Sequence, residues 1–112
     1  MTDSIEQEST REVTLASKPR VVIEYCPKCG WLLRAAWLAQ ELLTTFQDRL
    51  HEVALRPAGK AVFRISVDQA QVWSRLQDGG FPAAAELKRR VRDQVDPSMD
   101  LGHSEQSFSG GA

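Results

Sequence analysis

The apolar positions of this chain follow two spacings, one typical of β-strands and one typical of α-helices. A nearly unbroken apolar run at residues 20–25 predicts a central strand covered on both faces. From Gly30 onward the spacing becomes helical and predicts a long helix with one buried stripe. The stripe comprises Leu32, Ala35, Ala36, Ala39, Leu42, Leu43 and Phe46. Trp31, Leu33 and Trp37 lie off it, and we expect them to pack rather than to form a binding patch.

Three shorter runs after this helix predict the remaining strands. Residues 50–56 predict a second strand, which ends at the turn-forming sequence Pro-Ala-Gly-Lys. Residues 61–67 and 71–76 predict an antiparallel hairpin. Because Gln69 resists the positive φ that a tight turn requires, we expect a loop longer than two residues around Asp68 and Gln69.

A second helix follows Gly79-Gly80 and Phe81-Pro82, and it ends at Asp96-Pro97. Its apolar stripe comprises Ala84, Leu87, Val91 and Val95. The element order is therefore β-α-β-β-β-α. A right-handed crossover through the first helix makes the first two strands parallel, and the hairpin completes a four-stranded mixed sheet. The sequence predicts an α/β (α+β) protein with two helices and a minimal thioredoxin-like fold.

Composition divides the 112 residues into one domain and two polar ends. We expect a disordered lead-in at residues 1–18, a folded domain at residues 19–97 and a flexible Ser- and Gly-rich tail at residues 98–112. The net charge of −1 gives no bulk reason to bind nucleic acid or membranes. The cytoplasm is the expected compartment, since no signal-peptide or membrane-spanning pattern is present. A basic run at residues 88–92 predicts a solvated helix face.

The only two cysteines stand between the first strand and the first helix, in the sequence Cys26-Pro27-Lys28-Cys29. Such a pair can close into a small disulfide ring, but the loop is too short to stabilise a fold usefully. A helix N-terminus and the Lys28 ammonium favour a thiolate, so we expect Cys26 to attack substrates. Cys29 is expected to lie one turn inward and to be more covered. Pro27 lacks an amide hydrogen and should tune the reduction potential.

Other interpretations of the pair are weaker. The cysteines could be buried, inert thiols, although such residues need not stand at a helix start. Zinc requires two more ligands, and the only histidines, His51 and His103, have no recognised spacing. Small copper(I) carriers place the same motif between a strand and a helix, but they end with a further strand, whereas Pro97 and a polar tail follow here. We therefore expect neither a metal nor an organic cofactor.

The motif and its surroundings resemble the bacterial, cysteine-containing members of the selenoprotein W, T and H domain family, also called the Rdx family. The resemblance covers about residues 20–96 and rests on the segments 22–29, 31–37, 63–65, 72–75 and 79–82. It implies a thioredoxin-like fold and a thiol oxidoreductase role in cell redox homeostasis, with thiol- or disulfide-bearing proteins or glutathione as partners. Selenium-containing relatives carry selenium at the position of Cys29, which favours Cys29 as the nucleophile. Attack by either cysteine therefore stays open.

The preferred function is thiol–disulfide oxidoreduction through Cys26 and Cys29. The main rival is a binding adaptor whose cysteines act as a switch rather than a catalyst. In that case Trp31, Trp37 and the hairpin would form the docking surface.

Overall fold

The computed structural model describes residues 18–102, and its elements are ordered strand, helix, three strands and two helices. A 3-10 turn, Gln47–Arg49, follows the first helix. The elements are β1 (Arg20–Tyr25), α1 (Leu32–Phe46), β2 (Glu52–Pro57), β3 (Phe63–Val67), β4 (Ala70–Ser74), α2 (Arg75–Asp78) and α3 (Ala84–Val95).

The strands form one mixed sheet in the order β2-β1-β3-β4. β1 runs parallel to β2 and antiparallel to β3, so that Ile23 lies opposite Leu55 on one side and Ile65 on the other. β4 pairs antiparallel with β3, with an irregularity between Ile65 and Ser66. The predicted four-stranded mixed sheet and thioredoxin-like α+β class are confirmed.

Only one face of the sheet is covered. Val21, Ile23 and Ile65 are fully buried, and they belong to a single hydrophobic core together with apolar side chains of α1 and α3. On the opposite face Val22 and Glu24 are only half-buried. The prediction that β1 is covered on both faces is therefore wrong, because the core lies on one face of this mixed sheet and alternate residues of β1 lie on the other face.

Helix α1 starts two residues later than the apolar spacing suggests. Gly30 has a φ of +76°, a left-handed value that cannot be part of a right-handed helix. The predicted stripe is confirmed at Ala35, Ala39, Leu42 and Phe46, which are buried. It is wrong at its other three positions, since Leu32 and Leu43 are exposed and Ala36 is half-buried, whereas Leu38 and Glu41 are buried.

The β3–β4 connection is shorter than predicted. β3 ends at Val67 and β4 begins at Ala70, so Asp68 and Gln69 alone form the turn. Asp68, not Gln69, takes the positive φ, at +52°. Its N–H donates to the Arg20 carbonyl at 2.8 Å, and its carboxylate accepts the Arg20 N–H at 3.0 Å. These bonds fix the turn against the start of β1 and offset the strain of the left-handed conformation.

β4 also ends earlier than predicted, because the chain coils at Ser74. The short helix α2 replaces the end of the predicted strand, so residues 18–102 contain three α-helices rather than the predicted two. The Asp78 carboxylate accepts the N–H of Ser74 at 2.9 Å, and Gly79 ends the helix in a left-handed conformation. Leu76, assigned to the strand by its apolar character, is 82% exposed.

Two features of the C-terminal part depart from expectation. Lys88 is completely buried, and its Nζ atom lies 3.2 Å from Oε1 of Glu41 on α1, so the basic run is not simply a solvated face. The packed chain also extends past residue 97, because Leu101 is only 1% exposed and belongs to the core. Residues 1–17 and 103–112, which include most of the predicted lead-in and tail, lie outside the described residues. No helix within residues 18–102 has the length and apolar character needed to span a membrane.

Candidate redox site

The two cysteines lie on a turn between β1 and α1, as the sequence predicts. Cys26 directly follows Tyr25, the last residue of β1, and Cys29 precedes the helix by three residues. The Gly30 N–H donates to the Pro27 carbonyl at 3.1 Å, which closes the turn. Because the helix starts only after this turn, neither cysteine belongs to the helix itself.

The sulfur atoms of Cys26 and Cys29 lie at disulfide-bonding distance, and their Cα atoms are 5.4 Å apart. That Cα separation is typical of protein disulfides. The backbone N–H of Cys29 also points at Cys26 Sγ, at 3.2 Å. The turn therefore permits both the bonded and the dithiol form, and it supplies one hydrogen-bond donor that stabilises negative charge on Cys26.

The two cysteines differ sharply in exposure, and the order is the reverse of the prediction. Cys26 is 1% exposed, because it still lies at the covered end of the central strand. The chain then turns outward, and Pro27, Lys28 and Cys29 are all exposed. The expectation that Cys29 is more covered assumed a helix starting at the motif. The signal that was overlooked is the glycine directly after Cys29, which delays the helix.

The start of α1 provides an electropositive environment for the pair. The helix has no side-chain hydrogen bond at its N-cap residue, Trp31, and no acidic residue in its first turn. The partial positive charge of the helix N-terminus is therefore not offset locally, and it favours an anion nearby. Lys28 adds a full positive charge beside Cys29.

An aromatic cluster lies next to the turn, and sequence reasoning missed most of it. Trp31, Phe63 and Phe81 pack edge to face, with ring centroids 4.9–6.3 Å apart. Cζ of Arg34 is 4.2 Å from the Phe81 ring centroid, and Cζ of Arg75 is 5.1 Å from that of Trp31. Residues from α1, β3, α2 and the loop before α3 thus meet beside the cysteines, a convergence that only the fold reveals.

The other aromatic and apolar residues near the start of α1 behave differently. Trp31 packs against the core, as predicted. Trp37 and Leu33 are 47% and 83% exposed, so the expectation that they pack is wrong. Together they leave an apolar surface on the side of α1 that faces solvent.

The one histidine within residues 18–102, His51, does not lie near the cysteines. His51 is exposed, and its N–H donates to the Pro19 carbonyl at 2.7 Å, at the end of β1 opposite to the cysteine turn. His103 lies outside the described residues. Within residues 18–102 no group of three or more His, Cys, Asp or Glu side chains could hold a metal ion.

Sequence comparison connects this geometry to known proteins. The model of the Rdx family matches residues 20–93. Migration and invasion enhancer 1 of Mus musculus is 32% identical over 83 residues, which cover 72% of this chain and 69% of that protein. The Bos taurus protein of the same name is 33% identical over 75 residues, covering 65% of this chain and 62% of that protein.

Two solved structures share the fold. A crystal structure of a protein from Bordetella parapertussis is 58% identical, with a TM-score of 0.69, and covers 70% of this chain and 99% of its own. The crystal structure of a selenoprotein W-related protein from Vibrio cholerae is 49% identical, with the same TM-score and the same two coverages. These similarities, with the paired sulfurs, are consistent with a redox role.

Proposed function

The chain belongs to the Rdx family, and on that premise we propose that it is a thiol–disulfide oxidoreductase working through Cys26 and Cys29. The observation that carries the proposal is the pairing of one exposed and one buried sulfur at bonding distance on a single turn. Its partners are thiol- or disulfide-bearing proteins or glutathione, in a reducing compartment such as the cytoplasm.

In the proposed reaction Cys29 makes the first contact with the substrate, since its sulfur is on the exposed residue. The Cys29 thiolate attacks one sulfur of the substrate disulfide; that S–S bond breaks, and the other substrate sulfur leaves as a thiolate that takes up a proton. Cys26 then attacks the Cys29 sulfur, which releases the second substrate thiol and forms the Cys26–Cys29 disulfide. Two electrons pass from the cysteine pair to the substrate.

The return to the dithiol form uses the same geometry in reverse. A thiolate from a reductant, either glutathione or a dithiol protein, attacks the exposed Cys29 sulfur, and Cys26 leaves as the thiolate. The Cys29 N–H, 3.2 Å from Cys26 Sγ, stabilises this leaving group. A second reductant thiolate then attacks the reductant sulfur of the resulting mixed disulfide, so that Cys29 leaves as a thiolate and the reductant forms its own disulfide; each protein thiolate takes up a proton from water. Pro27 and Lys28 tune the reaction: Pro27 withholds one backbone donor from the turn, and Lys28 places positive charge beside the sulfurs.

Steady-state turnover tests the proposal. The protein should catalyse the reduction of a small protein disulfide with glutathione or thioredoxin as electron donor. Alkylation followed by mass spectrometry, after equilibration at a series of glutathione potentials, should show two thiols per chain disappearing in a single step. Thiols that remain alkylatable under mild oxidant would overturn the proposal.

The same experiment separates the rival adaptor function, which the exposed side chain of Trp37 favours. An adaptor would form the internal disulfide but would show no turnover. Its affinity for a partner would instead change on oxidation.

A further inference from the structure

We propose that the surface around Cys29 selects protein segments that carry acidic residues next to the reactive cysteine. This inference rests on the proposed function and specifies its substrate class. The surface, here called the cationic rim, consists of Lys28, Arg34 and Arg75.

Among the residues that the structure describes, the cationic rim differs from the other arginine-rich parts of the molecule in having no carboxylate partner. Arg20 on β1 and Arg64 on β3 are paired with Glu52 and Glu24, and Arg90 on α3 is likewise paired with acidic side chains. Within residues 18–102, the cations of the rim make no ion pair. Because the whole chain has a net charge of −1, this positive charge is a local feature of the redox site.

The two arginines of the rim are held in place by aromatic rings rather than by acids. Arg34 lies over Phe81 and Arg75 lies over Trp31, and these two rings are themselves 4.9 Å apart. A guanidinium stacked on a ring face keeps its N–H donors available in its own plane, where they match the geometry of a carboxylate. The arginines are therefore positioned in advance for an acidic ligand.

The position of the rim relative to Cys29 indicates where the acidic residues must lie. Lys28 directly precedes Cys29 in sequence. Trp31, whose ring lies beneath Arg75, follows Cys29 by two residues. Consider a substrate segment whose cysteine forms a mixed disulfide with Cys29. Carboxylates one or two residues from that substrate cysteine would then lie toward the cationic rim.

Apolar side chains beside the rim favour a polypeptide over a small thiol as the occupant. Leu33 and Leu76, which adjoin Arg34 and Arg75 in sequence, are 83% and 82% exposed. These exposed side chains give a polypeptide ligand apolar area to bury, which a small polar thiol cannot use. Positive charge and apolar surface together favour a substrate polypeptide segment that carries both acidic and apolar residues.

Three peptide disulfides that differ only in the residues flanking cysteine test the proposal. One carries aspartates, one serines and one lysines. The second-order rate constant for their reaction with the reduced protein, measured by acid quenching, should be about tenfold higher for the acidic than for the neutral peptide at low ionic strength. The advantage should shrink as salt is added, because exposed charges are screened.

Variants assign the effect to the rim. Arg34→Gln and Arg75→Gln should each lower the ratio of the rate for the acidic peptide to the rate for the serine peptide by several-fold. Arg34→Glu should shift the preference toward the lysine peptide. Lys18→Gln is the matched control, because it removes the same charge at the opposite end of β1. Thermal unfolding of each variant verifies that the fold is intact.

The outcomes distinguish this inference from the proposed function. If no peptide forms a mixed disulfide, the oxidoreductase function itself fails. Equal rates for the three peptides at low salt would overturn the acidic preference alone. Glutathione disulfide reacting as fast as the acidic peptide would show that the rim serves small carboxylate-bearing thiols. If the protein proves to be a dimer in solution, and Leu33→Glu makes it a monomer without changing the peptide preference, the exposed leucines would belong to a contact between two copies of the chain, which would overturn their part in substrate binding.

Discussion

At the scale of single residues, Cys26 and Cys29 differ in exposure and in hydrogen bonding, and the proposed reaction assigns them different roles on that basis. Both are required for a disulfide, but only Cys29 is accessible to a partner, and only Cys26 receives the hydrogen bond from its neighbour's backbone. The exposed sulfur is suited to meet a substrate. The buried sulfur is suited to act within the molecule, as resolving nucleophile in one direction and leaving group in the other.

Cysteine variants separate these two roles. Cys29→Ser should abolish capture of a mixed disulfide, because the remaining thiol is buried. Cys26→Ser should instead accumulate the mixed disulfide on Cys29, because no second thiol resolves it. Intact-protein mass spectrometry after incubation with a peptide disulfide measures both. Capture by Cys29→Ser and none by Cys26→Ser would transfer the attacking role to Cys26.

An ion pair between Glu41 and Lys88 joins α1 to α3, and the Lys88 side chain is fully buried. Glu41→Gln should lower the free energy of unfolding by about 3 kcal/mol, because it removes the negative charge that lies 3.2 Å from the buried Lys88 ammonium. Adding Lys88→Met should recover most of that loss, since methionine fills similar space without charge. Urea unfolding measures both variants, and equal stability of wild type and Glu41→Gln would contradict this account.

At the scale of elements, the connection between β4 and α3 depends on one polar network. Asp78 accepts hydrogen bonds from the Ser74 N–H and from Arg90, and Arg90 also donates to the Val72 carbonyl at 2.9 Å. The Arg90 guanidinium lies 4.5 Å from the centroid of the Trp73 ring. The network fixes α2, and α2 in turn positions Arg75 over Trp31 at the redox site.

The network predicts a pH dependence. The Ser74 N–H and Arg90 hold the pKa of Asp78 below its ordinary value of 3.8. A carboxyl whose pKa is lowered on folding stabilises the protein above the ordinary value, and this contribution is lost as pH falls through the lowered pKa. Asp78→Asn should therefore be less stable than wild type near pH 7, and the difference should shrink below about pH 4.

Chemical denaturation at several pH values measures the difference in unfolding free energy between Asp78→Asn and wild type. Asp48→Asn, which changes an exposed carboxylate in the 3-10 turn, serves as control. A difference between Asp78→Asn and wild type that stays constant down to pH 2 would contradict the assignment.

Comparison of sequence and structure shows which elements could be predicted. β1 is a nearly unbroken apolar run and α1 has strong helical periodicity, so the existence and order of these two elements, with the cysteines between them, follow from local sequence. The end of β4 could not be predicted, because it depends on Arg90, twelve residues after Asp78. For the same reason the burial of Lys88 requires knowledge of Glu41, and the rim formed by Arg34 and Arg75 requires the fold. Each of these features depends on contacts between residues that are far apart in the sequence.

At the scale of the whole molecule, the core extends beyond the last helix. Leu101 lies six residues after Val95, the end of α3, and is as buried as the residues of the central strand. With helices on one sheet face only, the core is thin, and each large side chain contributes substantially to it.

Truncation of this side chain tests that contribution. Leu101→Ala should lower the free energy of unfolding by about 2–5 kcal/mol, because it leaves a cavity in the core. Leu76→Ala removes the same atoms from an exposed position and should change stability by less than about 0.5 kcal/mol. Similar effects of the two substitutions would show that residue 101 does not contribute to the core in solution.

The strand order has one more consequence, for motion during the reaction. β1 is flanked by strands on both sides, so Cys26 is attached to the least deformable part of the sheet. Cys29 is followed by a glycine in a left-handed conformation, and an added Cβ at that glycine would meet no atom within 4 Å. When the protein passes from the mixed disulfide to the internal disulfide, the backbone conformation should therefore change mainly at residues 27–30, while the sheet stays unchanged.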